Sequence, residues 1–319
     1  MLIGSRALAA ARPALIALLI TSGAKLSEGV AHPISFCNVL FIGNLCAAIL
    51  VAIWFGIGTL LTDFSQLNLK AQIGLLLNGG LAALLSTLIY LGLRETTVTN
   101  AVLLGRIGPV LFAIAGTLIL GKKIARLEWV GFSLITVGVL AIALRTNQYQ
   151  ANKGDILILL STVVFATSAL INQIMIAKTA TLPVVVFSRN LISAVVFFAL
   201  ALKFYGPSHF ADAFSGQLWI IMSIYALIVI VAAQFLWYAS LNQLDSQTIG
   251  KLTVLSPIFG VTYAFLINGE HPSPIQISTL ALVIAGVSIA SLGRTKPVKE
   301  STKTIKNEVI ESAEDVAST

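Results

Sequence analysis

Charged residues are scarce in this 319-residue sequence, at 10% against roughly a quarter in soluble domains. Hydrophobic residues make up 57% of the chain, and the mean hydropathy is +0.94. A soluble protein of this composition would have too few polar side chains to cover its surface. The scarcity of charge therefore excludes an ordinary soluble domain and indicates a membrane protein.

Cysteine and histidine are also rare, with two and three residues. Cys37 and Cys46 share one apolar stretch, at a spacing that is not typical of a metal or redox pair. His32, His209 and His271 fall in separate predicted loops, without the spacing of metal ligands. An integral membrane enzyme needs a nucleophile with a base, or a metal cluster. We therefore expect no enzymatic activity, no metal and no cofactor.

Long apolar runs are abundant. A helix needs about 20 apolar residues to cross a bilayer, and runs of that length recur as far as position 293. They lack the alternating pattern of barrel strands. We predict an all-α polytopic membrane protein with about ten transmembrane helices. The predicted spans are 8–27, 36–60, 72–93, 98–120, 126–145, 154–176, 183–203, 217–240, 247–267 and 274–293.

An internal repeat divides these helices into two halves. An offset of 148 residues pairs identical residues: Tyr90 with Tyr238, Leu93 with Leu241, Pro109 with Pro257, Gly121 with Gly269, Gly138 with Gly286, and Val139 with Val287. Nearer the start of each half the best offset is 146. Because each half holds an odd number of helices, about five, the second half is inverted in the membrane. We predict repeats at 1–148 and 149–293, followed by a disordered cytoplasmic tail at 294–319.

These paired residues resemble those of the EamA-type carriers in the drug/metabolite transporter superfamily. In that family a Gly-Glu pair commonly follows the proline helix of each repeat. The second half of this chain has Gly269-Glu270, whereas the first half departs from the pattern with Gly121-Lys122. The resemblance implies a secondary transporter of a small organic metabolite. It leaves the solute open, since the superfamily moves amino acids, drugs, nucleotide sugars and phosphorylated sugars.

Arg106 is the strongest candidate for contact with a solute. It lies about eight residues, or roughly 12 Å, into the fourth span and so near the middle of the bilayer. The neighbouring Gly105, Gly108 and Pro109 predict a kinked helix that lines a cavity, with a matching kink at Pro257. We hypothesise that the guanidinium holds a carboxylate or phosphate of the solute. The alternative is a structural cation satisfied by helix carbonyls.

Uncharged polar residues occupy matching places in the two halves. Ser86 and Tyr90 lie one turn apart on the third helix, and Gln234 takes the place of Ser86 on the eighth. The predicted substrate-binding residues are Asn78, Ser86, Tyr90, Arg106, Gln234, Trp237, Tyr238 and Lys251. The alternatives are hydrogen bonding between packed helices for the uncharged residues and snorkelling to water for the cations Arg189 and Lys251.

Acidic residues are missing from the interior of the predicted spans. Those closest to the membrane edges are Glu28, Glu95, Asp245 and Glu270. Proton-coupled carriers commonly use a buried carboxylate, so this pattern gives no obvious proton relay. It favours export or exchange of an anionic or zwitterionic solute, such as an amino acid, an organic acid or a sugar phosphate.

The distribution of cations predicts the orientation. With a cytoplasmic N-terminus, cytoplasmic segments carry more cations than outer ones. The inner set is Arg6, Arg12, Lys70, Lys122, Lys123, Arg126, Lys178, Arg294, Lys296 and Lys299, and the outer set is Arg94, Arg145, Lys153 and Lys203. Both termini are predicted to be cytoplasmic, in a bacterial inner membrane or a plasma membrane.

The expected partners are a small-molecule substrate and the lipid bilayer, with no nucleic acid, and a homodimer is left open. The alternative function is a structural or sensory membrane protein that has the carrier fold and does not transport. A channel is disfavoured because the sequence has no filter-like loop or repeated ring of charges.

Overall fold

The computed structural model describes residues 1–26, 36–121, 123–145, 152–177, 179–207, 210, 216–236 and 252–293. The predicted tail at 294–319 lies outside these residues. The described part of the chain is helical and contains no strand. Its helices are α1 (Leu2–Ala10), α2 (Arg12–Leu26), α3 (Phe36–Phe55), α4 (Ile57–Gln66), α5 (Leu69–Glu95), α6 (Val98–Leu104), α7 (Ile107–Leu120), α8 (Arg126–Arg145), α9 (Lys153–Ile171), α10 (Leu182–Tyr205), α11 (Gly216–Tyr225), α12 (Leu255–Asn268) and α13 (Pro274–Gly293).

Eight helical stretches among the described residues are long and apolar enough to cross a membrane. A bent pair, α3 with α4, makes a ninth if the two helices form one span. Helix α12 is apolar but has 14 residues, fewer than the roughly 20 that a bilayer requires, and residues 237–251 before it lie outside the description. The predicted all-α polytopic fold is confirmed, and the described residues contain eight or nine candidate spans where ten were predicted.

The first span begins earlier than the sequence predicted. Its helix starts at Leu2, and the apolar stretch is Leu2–Thr21 rather than 8–27. Arg6 and Arg12, which were assigned to the cytoplasmic flank, therefore lie on the spanning helix. The predicted span 8–27 left out Arg6, since a cation facing lipid is costly, but it already contained Arg12. Both side chains are instead half-buried within the protein.

The second span ends earlier than predicted. Helix α3 stops at Phe55, and the chain bends by 95° into α4. Gly56 makes this bend with φ 81°, a conformation that costs glycine little because it has no Cβ. A bend near a right angle turns α4 away from the direction of α3, so the predicted span 36–60 is divided at this glycine.

Helices α8 and α13, the last span of each half, pack at very close range. A Cβ atom added to Gly131 would lie 2.3 Å from the carbonyl oxygen of Gly286. Further along, the Thr279 hydroxyl donates to the carbonyl of Gly138 at 3.2 Å. Small residues allow such contact between helices in a membrane, where packing replaces the hydrophobic effect as the driving force. This contact joins the two halves of the chain.

Candidate functional site

The fourth span is interrupted at its centre, beside Arg106. Helix α6 ends at Leu104 and α7 begins at Ile107. Pro109 has no N–H to donate to the carbonyl of Gly105, four residues earlier, so the α-helical pattern fails there. That carbonyl accepts instead from Gly108 at 3.2 Å in a tighter turn. The interruption places Arg106 at the junction of two half-helices.

Arg106 has few partners among the described residues. Its Nε donates to the carbonyl of Val102 at 3.2 Å, which is the contact expected of a structural cation. Within the described part of the chain no carboxylate is hydrogen-bonded to Arg106. The two terminal nitrogens, with four N–H groups, remain available to a solute.

Arg12 contacts one of the predicted site residues, and the sequence analysis missed this contact. Its Nη2 donates to the hydroxyl of Ser86 at 3.3 Å. The same side chain lies near the Tyr225 hydroxyl. Ser86 was predicted to bind substrate, and the structure places a guanidinium against it. Arg12 already lay inside the predicted span 8–27 but was counted among the cytoplasmic cations, so it was not considered as a site residue.

A polar cavity of about 270 Å³ lies between α5, α9, α10 and the end of the eighth span. We use the name polar cavity for the space lined by Asn78, Ser168, Asn172, Arg189 and Gln234, with apolar walls that include Phe165 and Val185. The Ser168 hydroxyl donates to Asn78 Oδ1 at 3.1 Å. The Gln234 Oε1 is buried and has no hydrogen-bond partner in the described residues. A cavity with a cation, amides and hydroxyls suits a small polar solute.

Two wider helical turns border this region. Asn172–Ile176 and Ala226–Ala232 are π-helical, directly after α9 and α11. Asn172, the first residue of one π turn, lines the polar cavity, and Tyr225, which lies near Arg12, precedes the other. Such turns release backbone carbonyls from the regular helical pattern and often occur at functional sites.

One end of the bundle is closed by hydrogen bonds between the two halves. Glu270 accepts from the backbone of Val98 at 2.6 Å and from the backbone and hydroxyl of Thr99 at 2.9 and 2.7 Å. A carboxylate is stabilised at the positive end of a helix, and here it caps the first turn of α6. The sequence analysis noted Glu270 as a family feature but had no partner for it.

Four further residues extend this contact into a network. Gln276 donates to Asn100 Oδ1 at 2.7 Å and to the hydroxyl of Thr97 at 3.3 Å. Asn100 in turn donates to the carboxylate of Asp155, which is almost fully buried. We call the set Thr97, Thr99, Asn100, Asp155, Glu270 and Gln276 the closed-end network. It joins residues from both halves that are at least 55 positions apart in sequence.

The closed-end network also shows that the repeat is inverted. Gly269 and Gly121 are equivalent in the repeat and end equivalent helices with φ of 68° and 65°. Gly269 lies beside Glu270, which contacts Val98 at the start of the fourth span. Gly121 follows the end of that span, 23 residues or roughly 35 Å from Val98. Equivalent residues therefore lie at opposite ends of the bundle.

The structure places the predicted site residues in different surroundings. Asn78 and Gln234 line the polar cavity, and Ser86 contacts Arg12. Tyr90 is buried in the largest apolar core cluster, and Arg106 lies at the helix interruption. Pro109 is exposed and Pro257 is buried. Trp237, Tyr238 and Lys251 lie outside the described residues, so their predicted roles stay predictions.

Comparison with known proteins decides the family. The model of the EamA-like transporter family matches residues 7–144 and again residues 152–292. This chain belongs to the EamA-like transporter family. The resemblance inferred from the sequence is thereby confirmed, and the EamA-like protein is a membrane transporter of the drug/metabolite type. Membership of this family points to transport rather than to an enzymatic reaction.

Relatives of this EamA-like protein carry transporter names. An uncharacterized transporter of Synechocystis sp. is 30% identical over 280 residues, covering 84% of this chain and 79% of the relative. The riboflavin transporter ImpX of Fusobacterium nucleatum is 25% identical, covering 65% of this chain and 70% of its own. The "Probable amino-acid metabolite efflux pump" of Salmonella typhimurium is 24% identical, covering 56% and 62%.

A solved crystal structure shares the fold. It superposes with a TM-score of 0.58 and 17% sequence identity, covering 91% of this chain and 96% of the other. At that identity the likeness concerns the arrangement of helices alone.

Proposed function

We propose that this EamA-like protein is a secondary transporter, an exporter or exchanger, of a small anionic or zwitterionic metabolite. The observation that carries the proposal is the arginine at the helix interruption. Arg106 lies near the middle of its span with unused donors and no hydrogen-bonded carboxylate in the described residues. A cation at membrane depth is costly unless a partner or a cavity compensates it. A carboxylate or phosphate of the solute supplies that partner.

The names of two relatives support a small organic solute. One is named for riboflavin and the other for amino-acid metabolites. An amino-acid metabolite carries a carboxylate that Arg106 can hold, and the polar cavity adds amide and hydroxyl groups for the rest of the molecule. Asn78, which lines the cavity, and Ser86, which contacts Arg12, are eight residues apart on α5, or roughly 12 Å.

Alternating access follows from the inverted halves. Asn78 in the polar cavity is nine residues from Leu69, the start of α5, and 17 from Glu95, its end, which are roughly 14 and 26 Å. The cavity is therefore nearer the end opposite the closed-end network. For a solute to leave at the closed end, the bonds of Glu270 to Val98 and Thr99 must break. Rocking of one half against the other accomplishes this in transporters of this kind.

The orientation in a bacterial inner membrane or a plasma membrane is part of the proposal. Moving Arg6 and Arg12 into the first span reduces the predicted cytoplasmic cations from ten to eight, against four outside. The excess persists and still favours cytoplasmic termini. In this orientation the closed-end network faces away from the cytoplasm, and the polar cavity lies on the cytoplasmic side.

Counterflow in proteoliposomes tests the function. Purified protein is reconstituted with phosphorylated sugars, dicarboxylates, neutral amino acids and cationic drugs as a labelled panel. We expect exchange of anions or zwitterions, and Arg106→Ala should reduce it about 100-fold, since a charged hydrogen bond contributes about 1.5–3 kcal/mol. Arg94→Ala removes an exposed cation at a helix end and should leave exchange unchanged.

Two outcomes contradict the proposal. A protein that binds solutes without any flux would be a structural or sensory protein with the carrier fold. Exchange of cationic drugs alone, with Arg106→Ala unimpaired, would make the arginine structural and the assigned charge of the solute wrong.

A further inference from the structure

The wall of the polar cavity contains an acceptor that no described residue satisfies. Gln234 Oε1 is buried and has no hydrogen-bond partner in the described part of the chain. A buried acceptor loses its water on folding, and native structures rarely leave one unpaired. The last torsion of a glutamine side chain is broad, so this amide can turn toward a donor in the cavity that it lines. A hydrogen-bond donor of the solute would complete the site.

Donors of the cavity wall are unused as well. The Ser168 hydroxyl donates to Asn78 Oδ1 at 3.1 Å, so the Nδ2 of Asn78 keeps two N–H groups that donate to no described residue. Asn172 adds a third carboxamide to the wall, at the first position of a π turn. A solute group that only donates would leave these N–H groups unpaired. The wall therefore calls for an acceptor next to the donor.

The charges at the wall disfavour an ionic end group. Arg189 is the cation among the described lining residues, and none of those residues is acidic. An ammonium group would be repelled by Arg189 without a carboxylate to compensate it. A carboxylate would turn its lone pairs toward Gln234 Oε1, and Arg189 already has an interaction partner in the protein. An uncharged group with both a donor and an acceptor fits better than either ion.

The polar cavity adjoins the interruption of the fourth span. Phe165 forms part of the cavity wall. A Cβ atom added to Gly108, in the first turn of α7, would lie 3.0 Å from the Cδ1 of the same ring. Gly108 is two residues from Arg106, which lies at the interruption. One aromatic ring therefore separates the polar cavity from the segment that carries the proposed anion site.

We propose that the polar cavity binds a primary carboxamide of the solute, with Gln234 as the residue that selects it. The amide nitrogen donates to Gln234 Oε1, and the amide oxygen accepts from Asn78 Nδ2. A carboxamide suits this wall because the acceptor and the donor lie on different spans, the eighth and the third. The inference rests on the proposed transport function and narrows its solute class to small carboxylates, amino acids included, that carry a carboxamide.

Isosteric solutes test the inference. Succinamate, glutaramate, asparagine and glutamine each carry a carboxylate and a carboxamide. In the methyl-ketone analogue of each, a methyl group replaces the amide nitrogen, with the same charge and nearly the same shape. Binding to the full chain in detergent is measured by thermal stabilisation, and exchange is measured by counterflow. We expect at least one amide to bind about tenfold more tightly than its ketone, because the ketone leaves Gln234 unpaired.

Gln234→Met removes the acceptor and keeps the length of the side chain. The variant should bind amide and ketone equally, so the preference falls from about tenfold to about one. It should unfold at or above the temperature of the natural protein, because an unpaired buried acceptor is lost. Gln234→Glu keeps an acceptor oxygen at this position and should retain a preference for the amide. Size-exclusion profiles check the folding of both variants.

Gln173→Met is the matched control. Gln173 Oε1 is also buried without a hydrogen-bond partner in the described residues, but Gln173 does not line the polar cavity. Its replacement should leave the ratio of amide to ketone binding unchanged. Equal losses of the preference in Gln173→Met and Gln234→Met would show that both changes act through the structure, and would overturn the inference.

The outcomes separate this inference from the function on which it rests. Equal binding of amide and ketone by the natural protein overturns the inference, as does an unchanged ratio in Gln234→Met. Tighter binding of succinate than of succinamate would place a second anion in the cavity and also overturn it. If other carboxylates exchange while no amide binds, the inference fails and transport stands. If no solute of the wider panel moves, the proposed function itself fails.

Discussion

The two halves of this EamA-like protein share a backbone and differ in their charges. Gly121 and Gly269 end equivalent helices in nearly the same left-handed conformation. The helix after the interruption begins at Ile107 in the first half and at Leu255 in the second, exactly one repeat offset later. At the interruption itself, however, the first half has Arg106 where the second has Val254.

Other charged residues also differ between the two halves. With the offset of 146 that applies early in each half, Arg6 and Arg12 correspond to Asn152 and Ile158. Glu270 corresponds to Lys122. Residues that shape the backbone are kept in both halves because both halves have the same fold. A single solute that binds between the halves needs each charge only once, so the charged residues need not match at equivalent positions.

The largest effect on stability is expected when position 270 receives lysine, the residue at the equivalent position 122 of the first half. Glu270→Lys replaces a carboxylate that accepts three hydrogen bonds with a cation at the positive end of α6. We expect the free energy of unfolding to fall by about 4 kcal/mol. Thermal unfolding in detergent measures it. The control is Glu95→Lys, which changes an exposed acid at the same end of the bundle. Equal losses of unfolding free energy in the two variants would show that the Glu270 cap does not stabilise the protein.

The second-largest effect is expected when the charge at the helix interruption of the fourth span is removed. Arg106→Val gives the first half the residue found at the equivalent position of the second. It should reduce the rate of anion exchange about 100-fold, which corresponds to an activation free energy that is higher by about 2.7 kcal/mol. The double variant Arg106→Val with Val254→Arg moves the charge to the equivalent position. We expect no recovery of counterflow, because Arg6 and Arg12 have no charged equivalent in the second half. Full recovery would mean that the two positions are interchangeable.

Packing between the halves should show a smaller effect. Gly131→Ala places a methyl group 2.3 Å from the carbonyl of Gly286 and 2.7 Å from the Cβ of Ala290, both on α13. Overpacking of this kind costs about 2 kcal/mol of unfolding free energy. Gly138→Ala is the matched control, since its nearest neighbour lies at 3.2 Å and should cost less than about 1 kcal/mol. If denaturant unfolding shows Gly138→Ala to be more destabilising than Gly131→Ala, the close contact of Gly131 with α13 is contradicted.

The smallest effect should be equal in the two halves. Gly121→Ala and Gly269→Ala each force a Cβ into a left-handed conformation without any steric contact from neighbours. Each should lower the unfolding free energy by about 1 kcal/mol. Side-by-side thermal melts of the two variants measure the difference. A difference larger than about 0.5 kcal/mol would show that the backbone symmetry breaks down at these caps.

Much of the fold could be predicted because its signals are local. Apolar runs identify spanning helices one segment at a time, and the paired residues Pro109 with Pro257 and Gly121 with Gly269 expose the repeat. The ends of spans were less predictable. Hydropathy falls at any cation, so the first span was started after Arg6, although the helix begins at Leu2.

By itself the sequence determined that this protein is an inverted-repeat membrane transporter with a cation, Arg106, near the middle of its fourth span. Only the tertiary structure decided which residues meet. Arg12 touches Ser86 across 74 positions, and Glu270 caps α6 across more than 170. Such contacts leave no local pattern, because a charge inside a membrane is tolerated or excluded according to partners that other helices supply.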